Sequence, residues 1–350
     1  MPERPQIVVV GGGIAGLTAA LNLARRGQDV ALVEREAVLG GNALTVCCKA
    51  VQGDCQFCGG CLLADQIAAA KAEPRIRLFL RTTVARVKRD DGGFLISLAG
   101  PQAPAEPLHA AAVILATGFD HVDAHTKGPY GYGILPAVTT GEEMERRLKE
   151  EGQHAYDGLN LRQVAFIQCV GSRDEHVGRG YCSQVCCRYA LRLARLLKAR
   201  RPEVEITIFK MDIQYSGRDM AAAWRAAAQE GIRLVAGLPA VIRRSEADPR
   251  RVSFLYDDIL AGQFTQQDFD LVVLSTGMQP RRDAAAVADL WGLNLDPYGF
   301  FASAGEETTT LVPGVFVAGS CQAPRSIAES AAHAHQAAEA CIRYLQEREA

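Results

Sequence analysis

The first forty residues carry an apolar pattern that predicts a strand, a helix and a second strand. Residues 6–10 are almost continuously apolar, which is typical of a buried strand. Apolar residues then recur at helical spacing through 14–27, after a glycine-rich turn. A second strand is predicted over 29–34, where residues 30–33 are apolar. Together they predict a βαβ unit, the repeating element of a parallel sheet.

The remaining pattern predicts a second α/β region enclosed by the first. A helix is expected near 62–72, then a hairpin whose strands 84–90 and 94–100 are joined by Asp91-Gly92-Gly93, and a strand that ends near Gly118. Residues 119–160 are rich in Gly and Pro and are predicted to be an irregular connector. Alternating strands and helices resume at 162–262, followed by a strand at 269–277 and a last helix near 325–347. We therefore predict an α/β fold with two Rossmann-type βαβ units.

The order of these elements predicts a discontinuous first domain and an inserted second one. The first would comprise residues 1–160 and 263–350, and the second residues 161–262. The helix that opens the inserted domain is predicted to span 181–200.

Composition and charge narrow the class of protein. Of the 350 residues, 48% are hydrophobic and 22% charged, which is typical of a globular α/β protein. The net charge of −2 gives no basic field for nucleic acid. The sequence lacks an apolar run of the roughly 18 residues that a membrane span needs. We expect a cytoplasmic protein without nucleic-acid or membrane partners.

The chain has eleven cysteines. They are poor candidates for structural disulfides, because a reducing compartment disfavours such bonds. Nine of them fall into two groups. The groups are Cys47, Cys48, Cys55, Cys58 and Cys61, and then Cys169, Cys182, Cys186 and Cys187. Clustered cysteines in such a chain favour metal binding or redox chemistry.

The first βαβ unit carries the features of a dinucleotide site. Gly11, Gly13 and Gly16 lie between the strand and the helix, and Glu34 ends the next strand. The glycines allow the backbone N–H groups to approach a pyrophosphate at the helix N-terminus, and the acid accepts hydrogen bonds from a ribose.

The inserted domain lacks a second fingerprint of this kind. Its first turn begins at Cys169 and contains one glycine, so the pyrophosphate cradle for NAD(P)H is not predicted. The cysteines there have the spacing C-x12-C-x3-C-C, which suits a [4Fe–4S] cluster. If the predicted helix is correct, Cys182 and Cys186 share one of its faces. A structural zinc site and buried free thiols are the alternatives.

The earlier cysteine group allows three interpretations. Cys48, Cys55, Cys58 and Cys61 have a cluster-like spacing. Cys55 and Cys58 alone are candidate redox thiols or persulfide carriers. The third interpretation is a set of structural thiols or a zinc site.

Several motifs resemble glutathione-reductase-type flavoproteins. These are Glu34-Arg35 followed by Gly40-Gly41-Asn42, the strand end Ala116-Thr117-Gly118, its counterpart Ser275-Thr276-Gly277, and Val317-Ala318-Gly319-Ser320, where the family usually has an aspartate in place of Ser320. The resemblance implies a glutathione/thioredoxin-reductase-like fold with FAD rather than NAD. The residues expected to bind FAD are Gly11, Gly13, Ile14, Ala15, Gly16, Glu34, Arg35, Gly41, Asn42, Val84, Thr117, Gly118, Gly319, Ser320 and Ile327.

A second resemblance is more specific. The run FIQCVGSRDE…YCSQVCCRYAL and the tail VFVAGSCQAPRSIAESAAHAHQAA are similar to the family of heterodisulfide reductase A-type subunits. The resemblance implies an electron-transfer subunit with these [4Fe–4S] ligands: Cys169, Cys182, Cys186 and Cys187. The short form of that family belongs to a sulfur-oxidising, heterodisulfide-reductase-like complex. It implies B-like and C-like subunits and a lipoate-binding protein as partners, and the reductase scaffold implies a homodimer.

Arg192 takes the position at which methanogen members of the family carry a lysine near the flavin N5. An arginine does not readily give up its proton. We therefore expect simple electron relay between flavin and cluster, without bifurcation. The rival functions are a free-standing NAD(P)H-dependent disulfide or persulfide reductase and a zinc-binding scaffold.

Overall fold

The computed structural model describes residues 6–90, 93–213 and 220–349. Its strands are β1 (Gln6–Val10), β2 (Val30–Val33), β3 (Ile76–Phe79), β4 (Thr83–Asp90), β5 (Gly93–Ala99), β6 (Leu108–Leu115), β7 (Asp120–His121), β8 (Val138–Thr140), β9 (Gln163–Val170), β10 (Glu205–Lys210), β11 (Ile232–Ala236), β12 (Arg243–Arg244), β13 (Val252–Asp258), β14 (Gln263–Phe269), β15 (Leu271–Thr276), β16 (Met278–Gln279) and β17 (Val315–Val317). Its α-helices are α1 (Ile14–Arg25), α2 (Leu62–Ala72), α3 (Gly141–Glu150), α4 (Cys186–Arg200), α5 (Met220–Gln229), α6 (Ala284–Trp291) and α7 (Ile327–Glu349).

The first compact unit comprises residues 1–44, 59–120 and 279–350. Its sheet has the order β3-β2-β1-β6-β5-β4, and β17 also pairs with β6. The pairs of β1 with β2 and β6, of β2 with β3, and of β6 with β17 are parallel, whereas β4, β5 and the start of β6 form an antiparallel meander. One apolar core holds α1 and α7 against the sheet, and another lies under α6. The parallel strands end at the turns that carry the predicted nucleotide-binding residues.

The second compact unit comprises residues 45–58 and 121–278. Five parallel strands have the order β11-β10-β9-β15-β8, and β12, β13 and β14 form a separate antiparallel sheet. Helices α3, α4 and α5 pack on the parallel sheet around one core, which includes Trp224. The centre of this sheet, β9, leads into the cysteine-bearing turn.

The extent of the units differs from the predicted division. Residues 45–58, 121–160 and 263–278, which were predicted for the first domain, belong to the second unit. Part of the expected irregular connector is regular, because β8 and α3 occupy 138–150. The sequence signal for α3 is weak, since only Met144 and Leu148 supply large buried apolar side chains. A capping box at its start, in which Thr140 and Glu143 exchange hydrogen bonds, fixes the helix instead.

The predicted hairpin is confirmed as the antiparallel pair β4 and β5. Two residues of its predicted turn, 91 and 92, lie outside the described residues.

Candidate functional site

The glycine motif after β1 leaves no room for a side chain at Gly11 or Gly16, whereas a Cβ at Gly13 would meet no atom within 4 Å. Gly11 has a φ of +107°, and a Cβ there would lie 2.3 Å from the Ala116 carbonyl oxygen. A Cβ at Gly16 would lie 1.8 Å from the carbonyl oxygen of Gly11. Helix α1 begins at Ile14, with no side-chain cap and no acidic residue in its first turn. Its first N–H groups lack intrahelical acceptors, so this end of α1 suits an anionic ligand.

Glu34 is buried immediately after β2 and faces this turn. Its Oε2 accepts a hydrogen bond from the Gly12 N–H at 2.6 Å, and its Oε1 accepts one from the Glu36 N–H at 2.8 Å. A carboxylate has about four acceptor positions, so these two bonds leave capacity for ribose hydroxyls. The turn and the acid therefore fit the adenosine half of a dinucleotide.

The structure places the other predicted flavin residues on several elements of the first unit. Gly41 and Asn42 begin a short 3₁₀ helix, and the Asn42 amide donates to the Phe119 carbonyl at 2.8 Å. Gly118 follows β6 and has open space around its Cα. Thr117 precedes it, Val84 lies in β4, and Arg35 is exposed and forms ion pairs with Glu36 and Asp283, each at 3.3 Å.

The C-terminal turn packs tightly against α1. Gly319 has a φ of +74°, and a Cβ there would lie 2.6 Å from the Cβ of Ala15. Ser320 is buried next to it, with its Oγ 3.3 Å from the Oγ of Ser330. Ile327 is the first residue of α7. The turn after β17 therefore packs directly against the start of α1, beside the glycine turn.

In the second unit, β9 leads into an irregular turn rather than a helix. The strand ends at Val170, and α4 begins only at Cys186. Cys169 has a φ of +59°, Gly171 of +73° and Arg173 of +56°. A left-handed backbone is uncommon for residues other than glycine and concentrates at functional sites. The turn has no helix N-terminus in the position that a pyrophosphate would need.

One expectation about this turn is wrong. The predicted helix over 181–200 starts five residues later, so Cys182 lies outside it and does not share a helix face with Cys186. Buried Ser183 holds the segment in place, because its Oγ lies 2.5 Å from the Ser172 Oγ and accepts from the Met278 N–H. These side-chain bonds compete with helix formation.

The four cysteines in and beside this turn lie close enough to affect one another's pKa. Burial, followed by the charge of Cys187, raises the pKa of Cys169 to about 11. A hydrogen bond to Cys187 raises the pKa of Cys186, with burial as the second cause. Burial also raises the pKa of Cys182, although the Gln184 N–H donates to its Sγ at 3.3 Å.

The described part of the chain has no group of three or more His, Cys, Asp or Glu side chains arranged around a single metal ion. A cube differs from a single ion, because each of its four thiolates binds a different iron atom and the thiolates lie farther apart. The four-thiol donor set is the chemistry that a [4Fe–4S] cluster requires.

This turn packs closely against the end of β15 because Gly277 there has no side chain. A Cβ at Gly277 would lie 1.9 Å from the Ser172 Oγ and 2.4 Å from the Ser183 Oγ. The Tyr189 hydroxyl of α4 donates to the neighbouring Thr276 carbonyl at 3.1 Å. The Ser-Thr-Gly strand end therefore accommodates the segment that carries Cys182.

Residues 45–58, called here the cysteine segment, are fixed by a buried ion pair. The Lys49 ammonium lies 2.6 Å from one oxygen of Glu145 and 2.7 Å from the other, and both side chains are buried. The same carboxylate accepts from the Cys47 N–H at 3.0 Å. Burial, followed by the Glu145 charge, raises the pKa of the Cys47 thiol to about 12. Cys47 is therefore a protonated, structural thiol.

The other end of the cysteine segment contacts α4. Arg192 donates to the Phe57 carbonyl at 3.1 Å, and the Phe57 N–H donates to the Cys55 Sγ at 3.3 Å. Burial lowers the pKa of Arg192, whereas the nearby charges of Cys58 and Cys55 raise it. The thiol of Cys55 is exposed and that of Cys58 half-buried.

The two remaining cysteines of the first group are also exposed. Cys48 belongs to the cysteine segment, whereas Cys61 belongs to the first unit.

Sequence reasoning missed Lys49 and Glu145. They are far apart along the chain, and neither belongs to a recognisable motif. The one available signal was a lysine between cysteines in a segment expected to carry chemistry. It also missed the hydrogen bond that the Gly319 N–H donates to His333 at 2.9 Å.

A two-unit α/β scaffold with a dinucleotide-type turn defines a flavoprotein-reductase type of fold. The pyridine nucleotide-disulphide oxidoreductase family matches residues 5–338, and the chain belongs to this family of oxidoreductases. The fold class predicted from the sequence is confirmed by thioredoxin reductase from Lactococcus lactis. That structure aligns with a TM-score of 0.62 at 20% identity, over 98% of this chain and 100% of the other.

Curated relatives confirm the more specific resemblance. The second A-type iron-sulfur subunit of the CoB–CoM heterodisulfide reductase of Methanopyrus kandleri is 29% identical over 95% of this chain and 63% of its own length. The A-type subunit of the H2:CoB–CoM heterodisulfide, ferredoxin reductase of Methanothermobacter marburgensis is 33% identical over 81% of this chain and 41% of its own. The chain thus spans less than two thirds of either relative. Among the helices described, none is both long and apolar enough to cross a membrane.

Proposed function

We propose that this chain is an electron-transfer subunit of a heterodisulfide-reductase-like complex that acts on sulfur compounds. The first unit would hold FAD, and Cys169, Cys182, Cys186 and Cys187 would hold one [4Fe–4S] cluster. The observation that supports the proposal is the irregular turn between β9 and α4, where a Rossmann fold would start a helix. Cys182 lies in this turn, Cys169 lies at the end of β9, and Cys186 and Cys187 open α4, so that the four thiols interact electrostatically. When bound, FAD would exchange electrons in pairs or singly, and the cluster would exchange them singly.

The chain's own residues would bind and orient these groups. The N-terminus of α1 would receive the FAD pyrophosphate, and Glu34 would accept hydrogen bonds from the adenosine ribose. Cys186 is the first residue of α4, where the helix dipole favours the negative charge of thiolates. Ser183 and Gly277 would keep Cys182 in its place outside the helix.

We also propose the partners and the mode of electron flow. B-like and C-like subunits and a lipoate-binding protein are proposed from the family resemblance, and a homodimer is proposed from the reductase scaffold. The cytoplasmic location is proposed from the sequence pattern. Relay without bifurcation is supported by Arg192, whose guanidinium remains bonded to the Phe57 carbonyl and does not readily give up a proton. The turn between β9 and α4 offers no helix N-terminus for the pyrophosphate of NAD(P)H, which argues against NAD(P)H as the reductant.

Anaerobic purification with quantification of flavin, iron and sulfide tests the proposal. We expect one non-covalent FAD per chain, released by acid, and four iron atoms. Cys186→Ser should remove the iron and the broad visible absorption while FAD stays bound. Cys341→Ser, at a buried cysteine in the first unit, is the matched control and should retain both. Zinc in place of iron, or rapid flavin reduction by NADH in a stopped-flow experiment, would contradict the proposal.

A second candidate function, thiol–disulfide exchange at Cys55 and Cys58, is favoured by their accessibility beside Arg192. Reactive thiols occupy partly exposed, electropositive surroundings. The Cys55 thiolate would attack an external disulfide and release one thiolate. Cys58 would then attack the Cys55 sulfur, release the second thiolate and leave a Cys55–Cys58 disulfide.

Treatment with glutathione disulfide and peptide mass spectrometry tests this candidate. A Cys55–Cys58 disulfide is expected in the wild type and in Cys48→Ser. Retention of both thiols, or loss of half the bound iron in Cys55→Ser, would instead favour structural thiols or a second cluster at Cys48, Cys55, Cys58 and Cys61.

A further inference from the structure

Both backbone polar groups of Gly319 are held by side chains. Its N–H donates to the Nδ1 of His333 at 2.9 Å, and its carbonyl oxygen accepts from Arg325 at 3.2 Å. Arg325 in turn forms an ion pair with Glu307 at 3.0 Å. We call His333, Arg325 and Glu307 the Gly319 clamp. The clamp therefore fixes the two peptide groups on either side of the Gly319 Cα.

His333 is built to act as an acceptor in this clamp. It is 3% exposed, on the buried side of α7. Burial lowers its pKa to about 4, and the positive charge of Arg325 contributes in the same direction. The ring is therefore neutral at physiological pH, and acceptance at Nδ1 places its proton on Nε2. The Glu307 carboxylate lies 4.0 Å from Nε2.

Gly319 lies directly against the start of α1, the helix that follows the glycine turn. Gly319 is so close to Ala15 that a Cβ at Gly319 would lie 2.6 Å from the Cβ of Ala15. Ala15 is the second residue of α1, whose N-terminus faces the dinucleotide in the proposed function. Ser320 follows directly and is also buried. A small shift of Gly319 would therefore change the space beside the α1 N-terminus and move Ser320.

We propose that His333 is a positioning residue for the dinucleotide, acting through the Gly319 N–H. The inference rests on FAD binding by the first unit, as proposed above. Loss of the acceptor at Nδ1 leaves a buried N–H unsatisfied, which the turn relieves by moving. The flavin site then loses part of its preorganised shape.

The test compares two substitutions of similar size and polarity. In His333→Asn the Oδ1 lies at the same distance along the side chain as Nδ1, so the Gly319 N–H keeps an acceptor. In His333→Gln the amide lies one bond farther out, near the position of Nε2, and this acceptor is lost. His335→Asn, on the exposed side of the same helix, is the matched control. The readouts are the FAD dissociation constant of the apoprotein, measured by flavin fluorescence, and the midpoint potential of the bound flavin.

We expect His333→Asn and His335→Asn to bind FAD within about threefold of the wild type, and His333→Gln to bind about tenfold more weakly with a shifted midpoint potential. Circular dichroism establishes that the variants are folded. If His333→Gln matches the wild type in both readouts, or if His333→Asn is as weak as His333→Gln, His333 is only a core residue and the inference is wrong. A wild-type protein that binds no FAD would instead reject the proposed function, so the two failures are distinguishable.

Discussion

Lys49 and Glu145 show how much a single buried charge matters in this protein. Desolvation makes a buried ion pair expensive, and its net contribution to stability is often small. Loss of one partner is different, because the other charge then stays buried without compensation. The Cys47 N–H would also lose its acceptor if Glu145 were removed.

We predict that Glu145→Leu lowers the free energy of unfolding of the second unit by about 3–5 kcal/mol, and that Lys49→Met combined with Glu145→Leu recovers most of this loss. The chain has two tryptophans, and Trp224 lies in the core of the second unit. Urea unfolding followed by Trp224 fluorescence in a Trp291→Phe background therefore measures this unit.

Glu151→Gln is the control, because its pair with Arg147 is exposed at the surface. Exposed pairs contribute about 0–1 kcal/mol, so this variant should be close to the wild type. Equal effects of Glu145→Leu and of the double variant would show that the buried charge is not the cause.

Protonation of His333 makes the free energy of unfolding of the first unit depend on pH. The pKa of His333 is about 4 in the folded chain, against about 6.5 when unfolded. Between these values the unfolded chain binds a proton and the folded chain does not. We predict that the free energy of unfolding falls as pH is lowered from about 6.5 to about 4, with His333 contributing up to about 1.4 kcal/mol per pH unit.

The measurement is urea unfolding at a series of pH values, followed by Trp291 in a Trp224→Phe background. His333→Asn removes this titration and should flatten the curve. An unchanged pH dependence in His333→Asn would contradict the prediction.

At the scale of elements, periodicity predicted the long, strongly apolar parts well. The βαβ unit of β1, α1 and β2 and the hairpin of β4 and β5 are where the pattern indicated. Helix α3 was missed because it contains few apolar residues, although its capping box of Thr140 and Glu143 is a signal that the sequence itself carries. The start of α4 was misplaced because buried Ser183 finds its partners in residues distant in sequence.

The residues of the candidate site also differ in whether a local sequence pattern predicts them. The glycine turn and Glu34 were predictable, because local backbone geometry dictates them. The cysteine spacing indicated which residues carry chemistry. Neither the contact of Arg192 with Phe57 nor the bond between His333 and Gly319 was predictable, because each joins segments that no local pattern relates.

Gly277 provides a test of how β15 supports the irregular turn between β9 and α4, called here the cysteine turn. We predict that Gly277→Ala destabilises the second unit by about 1–3 kcal/mol, since its methyl group would overlap Ser172 and Ser183. We also expect a lower iron content, because relief of the overlap displaces the segment that carries Cys182. Gly128→Ala is the control, as a Cβ there meets no atom within 4 Å. Unchanged stability and iron content in Gly277→Ala would refute this account.

At the scale of the whole molecule, assembly is the next property to measure. From the reductase scaffold we predict a homodimer, with a mass twice the 37.7 kDa of one chain. Light scattering at micromolar concentration measures it directly. A mass of a single chain under these conditions would reject the prediction.

The division of the chain also sets an order for its synthesis. Every residue of the second unit precedes residue 279, whereas the first unit needs β17 and α7 from 279–350. At about 5–20 residues per second, translation of that last stretch takes on the order of 4 to 14 seconds. The cysteine turn and the cysteine segment are thus able to fold together on the ribosome while the nucleotide-binding unit is still incomplete.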